Sequence, residues 1–134
     1  MAKELNNPTT NEHFQTFTKA CLKWADLLSL HDWDFNFRHD LRKQDADEEG
    51  WILASTQTIF DNSRTLTITL NKDWGITSVT DETIERCARD EILHVLLCEL
   101  MEHTKDTPQI RSIEHGVIHR IIYMIDKLKE AIRK

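Results

Sequence analysis

With 134 residues and no apolar run approaching the roughly 18 of a membrane span, the chain is long enough for one core without disulfides and too polar for a membrane domain. A formal charge of −6 and a pI near 5.6 argue against general phosphate neutralisation, so broad nucleic-acid binding is not expected. Cys21, Cys87 and Cys98 are odd in number and lie in helical patterns, which predicts free thiols in a reducing, cytoplasmic compartment.

A single domain over residues 1–134 is expected, with residues 1–10 polar and flexible and closed by Asn6-Asn7-Pro8. Phe14, Phe17, Cys21, Trp24, Leu27 and Leu28 then recur at helical spacing, predicting a first helix from Asn11 to Leu30 with Asn11 as its cap. From Trp33, apolar Phe35 and Phe37 alternate with Asp34, Asn36 and Arg38, the period-two pattern of a half-buried strand. Residues 40–50 are too acidic and polar to bury and predict an exposed loop ending at Gly50. Two more strands follow, Trp51 to Phe60 and Thr65 to Leu70, joined by the turn Asp61-Asn62-Ser63-Arg64. Leu66, Ile68 and Leu70 should face the core, and Thr65, Thr67 and Thr69 should face out. The four tryptophans, Trp24, Trp33, Trp51 and Trp74, read as core and sheet packing.

Ser78-Val79-Thr80-Asp81-Glu82 places a hydroxyl cap ahead of two acids, starting a helix that should run from Thr80 to His103. It is apolar nearly all round, which predicts a buried helix. Within it, Asp90 and His94 stand one turn apart on one face, and Glu91 lies about 100° round from Asp90. Buried polar groups on such a helix require partners. Thr104 to Pro108 should end it, with Pro108 in the first turn of a last helix reaching Ile132.

On that last helix, Ile110, Val117, Ile118, Ile121, Ile125, Leu128 and Ile132 form an apolar stripe, and Glu114 falls in its middle. A core-facing carboxylate calls for a cation, a metal or several donors. The short link between the two helices makes a shared site of Glu114 with Asp90, Glu91 and His94 the economical expectation.

These residues resemble the zincin metallopeptidases, and more narrowly the small metallopeptidase-like domains encoded by phages and prophages. Their signature is His-Glu-x-x-His on a helix, two ligands one turn apart with the Glu as general base, and in one branch a Glu on the next helix as third ligand. Here Glu91 matches the base, His94 the second histidine and Glu114 the third ligand, while Asp90 stands where the first histidine would be. The resemblance implies an α+β, minimal zincin-like fold: N-terminal helix, three-stranded antiparallel-type sheet, buried active-site helix and C-terminal helix. It also implies zinc, or another divalent ion, held by Asp90, His94 and Glu114, and hydrolysis of a protein or peptide in the host cytoplasm. A carboxylate can ligate zinc, although Asp reaches less far than His and two anionic ligands acidify a bound water less.

Other readings of the same residues remain open. The four polar groups could form a buried salt-bridge cluster with Arg89 or Arg120, or Asp90 could mark a non-catalytic binding or accessory protein. His115 and His119, an i, i+4 pair beside Glu114, are expected to be partly exposed helix histidines, with donation to Glu114's partners or substrate binding as the alternative. Cys87 and Cys98 read as small buried residues, with a thiolate site shared with His94 as the alternative.

Overall fold

The computed structural model describes residues 7–41, 52–59, 64–102 and 107–133; for residues 59, 99–102 and 133 it describes the backbone alone. The expected flexible start, the acidic loop, Trp51 and the tip of the second turn lie largely outside these residues. Element order is α1 (Asn11–Leu27), β1 (Asp34–Asp40), β2 (Ala54–Ile59), β3 (Thr65–Asn71), α2 (Asp81–Glu102) and α3 (Pro108–Arg133). This is a small α+β architecture, and no helix among the described residues is long and apolar enough to cross a membrane. The chain divides into two compact units, Met1–Val95 and Leu96–Lys134.

Local chemistry sets the helix ends. Thr10, not Asn11, caps α1: its hydroxyl accepts from the His13 N–H at 3.1 Å while the His13 ring accepts from the Thr10 N–H at 3.0 Å. The helix stops at Leu27, earlier than its period suggests, because Ser29 adopts a left-handed φ of 58°. Leu30 N–H then reaches Ala25 O at 2.9 Å and Ser29 N–H reaches Asp26 O at 3.1 Å, closing a Schellman motif without a glycine. Thr80 and Thr83 cap α2 reciprocally through 2.8 and 3.1 Å bonds, and Thr107 caps α3 ahead of Pro108.

The sheet order is β1-β3-β2. β2 and β3 pair antiparallel, as the short turn between them requires, but β1 and β3 pair parallel, so the sheet is mixed rather than of antiparallel type. Thirteen residues separate β1 from β2, enough chain to place β2 on the far edge of β3. The register puts Phe37, Ile68 and Thr56 side by side on one face, together with Phe35, Leu66 and Thr58 and with His39, Leu70 and Ala54. Leu66, Ile68 and Leu70 are buried as expected, but Thr69 is buried too, opposite Ser55 on the other face.

α1 and the first part of α2 meet the face of the sheet that carries Leu66, Ile68 and Leu70, through Phe14 at His39 and Glu91 at Thr56. Phe14 of α1 stacks on His39 with ring centroids 5.1 Å apart, and Phe17, Cys21 and Trp24 are buried behind it. Trp74, fully buried, donates its indole N–H to Leu53 O at 3.1 Å, and Trp33 is buried beneath the Arg64 guanidinium. The segment 7–9 is tied down by bonds from Thr9 N–H to Lys72 O (2.9 Å) and from Trp74 N–H to Asn7 O (2.8 Å). Thr9 Oγ1 donates to Asn71 O at 2.8 Å, which spends its one proton, so the 2.7 Å contact to His39 is donated by Nε2–H.

Candidate functional site

α2 is the spine of the candidate site. Ile84, Ala88, Ile92 and Val95 recur at spacings of three and four, all at most 1% exposed, and they seat the helix on the sheet. At about 100° per residue, Glu91 falls inside that buried stripe, between Cys87 and Val95, rather than at its edge. Asp90 and His94 lie further round on one half-buried arc, as the sequence predicts. The helix is not buried all round, because Leu96 reaches solvent.

The sheet supplies Glu91 with a partner that sequence reasoning did not identify. Thr56, in the middle of β2, donates its hydroxyl to Glu91 Oε2 at 2.5 Å. Such a bond to an ionised acceptor is short and roughly twice as strong as a neutral one. A readable signal existed: β2 offers Ala54, Thr56 and Thr58 to the face that β3 lines with Leu66, Ile68 and Leu70, so Thr56 and Thr58 put hydroxyls on the face that a core-facing carboxylate would meet.

Two thiols lie close enough to Glu91 to feel its charge. Burial, and after it the charge of Glu91, pushes the Cys21 thiol up. Burial followed by Glu91, Cys21 and Asp90 does the same for Cys87. Both are therefore neutral thiols, small and buried, and neither they nor the half-buried Cys98 form a disulfide.

The remaining expected residues lie in the second unit. Glu114 is half-buried on α3, and His115 and His119 are exposed. Of the expected apolar stripe, Ile118 is buried but Leu128 and Ile132 are exposed, so the stripe does not lie in a core along its whole length. Asp90 and His94 are two donors one turn apart, and a divalent ion needs at least one more. Among the described residues no three His, Cys, Asp or Glu side chains form a group that could hold a metal ion.

Comparison with known proteins finds no matching family model, no matching curated protein and no matching solved structure.

Proposed function

We propose that the chain is a metallopeptidase-like hydrolase of a protein or peptide, with Glu91 as the base that takes a proton from the attacking water and returns it to the leaving amine. The observation that supports the reading is the seating of Glu91: a carboxylate inside the buried stripe of the central helix, fixed from the sheet by Thr56. A half-buried carboxylate held in one geometry by a hydrogen bond meets what a general base requires. Asp90, His94 and Glu114 are the proposed donors to a zinc ion, which when bound would supply Lewis acidity at the scissile carbonyl. The proposed compartment is the cytoplasm, in line with three cysteines outside any disulfide.

The test is digestion of a diverse peptide mixture, supplied with zinc and read by mass spectrometry, for the wild-type chain and Glu91→Gln. The reading expects discrete cleavages that fall by at least about a hundredfold in Glu91→Gln, in the range for loss of a general base. Equal cleavage by the two proteins would refute the role of Glu91.

A second reading has its own observation. Thr56 and Glu91 bridge the sheet to α2 whether or not chemistry occurs, and Asp90 replaces the ligand that the resemblance would place first. On that reading the chain is a non-catalytic binding or accessory protein of the same layout. It expects no cleavage by the wild type in the same digestion.

A further inference from the structure

We propose that α3 is a self-association helix, its C-terminal half pairing in parallel with the same helix of a second copy of this chain. Ile118, Ile121, Ile125, Leu128 and Ile132 follow one another at spacings of three, four, three and four, which is the seam of a two-stranded coil with β-branched residues at the a positions. Burial falls along that seam: Ile118 is 3% exposed, Ile121 and Ile125 are half-buried, Leu128 is 60% exposed and Ile132 81%.

The distribution of charge argues for a second copy over a solvated helix face. From Ile118 to Ile132 no charged residue occupies the seam, and Asp126, Lys127 and Glu130 all fall on the outer face. Lys129 alone flanks it, and in a parallel pair the position facing it is Met124, an apolar side chain along which a lysine stem can lie. Two copies would therefore meet no like-charge repulsion across the seam. The Lys127–Glu130 ion pair, at 4.0 Å, and the Lys127 ammonium over Tyr123 stay outside it.

The exposed part of the seam is small. Met124, Leu128 and Ile132 are each at least 60% exposed on or beside it, on the order of 400 Å² of apolar surface. Pairing two such faces removes about 800 Å² from water, the size of a weak, concentration-dependent association rather than an obligate dimer.

Sedimentation velocity of the full chain, under reducing conditions and from low to high micromolar concentration, tests this. The mass should climb from 15.8 kDa toward twice that value. Leu128→Glu and Ile132→Glu, both at exposed positions, should weaken the association at least about tenfold with far-UV circular dichroism unchanged. Tyr123→Lys, exposed but off the seam, should leave it intact. A single 15.8 kDa species at every concentration would overturn the proposal, as would association that survives both glutamate variants.

Discussion

Replacing Thr56 with valine tests the seating of Glu91 without touching the carboxylate. Valine keeps the shape and strand preference of threonine and removes only the hydroxyl that donates to Glu91 Oε2 at 2.5 Å. A hydrogen bond to a charged group contributes about 1.5–3 kcal/mol, and Glu91 is half-buried, so water can replace part of it; the expected loss is about 1.5 kcal/mol. For a chain of this length that lowers Tm by about 5 °C. Urea unfolding followed by tryptophan fluorescence reads the loss directly, and Thr56→Ser, which keeps the donor, should recover at least half of it. Combining Thr56→Val with Glu91→Gln in a double-mutant cycle should give a coupling of about 1 kcal/mol. The adjacent Ser55 is the internal control: its buried hydroxyl has no hydrogen-bond partner among the described residues, so Ser55→Ala should leave stability unchanged within about 0.5 kcal/mol or raise it. A Thr56→Val protein as stable as wild type, with zero coupling to Glu91, would refute the reasoning.

Three further outcomes follow from the same structure. Ser29→Gly should stabilise the chain by about 0.5–1 kcal/mol in urea, because glycine adopts the left-handed conformation at φ 58° without the strain a Cβ imposes. Thiol titration with an aromatic disulfide at pH 8 should modify Cys98 alone in the native chain and all three cysteines in urea, since burial and the charge of Glu91 hold Cys21 and Cys87 as neutral thiols. Burial first, then Lys72 and His13, outweigh Asp40 and lower the pKa of His39, so the unfolded chain binds this proton more readily and stability falls as pH drops below about 6.5. His39→Gln, which keeps a donor for Thr9, should show a smaller drop in Tm between pH 7.5 and 5.5 than wild type.

The three helices and three strands were legible because their signals are local. Apolar spacing marks the helices, alternation marks β1 and β3, and a threonine and Pro108 announce the start of α3. What escaped depends on neighbours distant in sequence. Parallel pairing of β1 with β3 is invisible in either strand's own pattern, and Ser29 ends α1 in a conformation that glycine ordinarily announces. Burial of Thr69 likewise comes from what surrounds the sheet, since threonine at that spacing reads as outward-facing. At the candidate site, the common arc of Asp90 and His94 was readable from helix geometry. Thr56 was not named, because a threonine in a strand carries the same local signal whether it faces water or a carboxylate. The stripe of α3 was read as a core face, and its outer half turned out exposed, since periodicity reports a face and not what covers it.

The most direct test of the proposed function is the zinc content of the purified full chain after equilibration with zinc and removal of the excess, measured by mass spectrometry under native conditions. The account predicts about one ion per chain at near-neutral pH, lost in His94→Ala, lost or greatly weakened in Asp90→Ala and Glu114→Gln, and retained in Glu91→Gln. A wild-type chain that binds no zinc and whose unfolding is unchanged by chelator or added metal would contradict it.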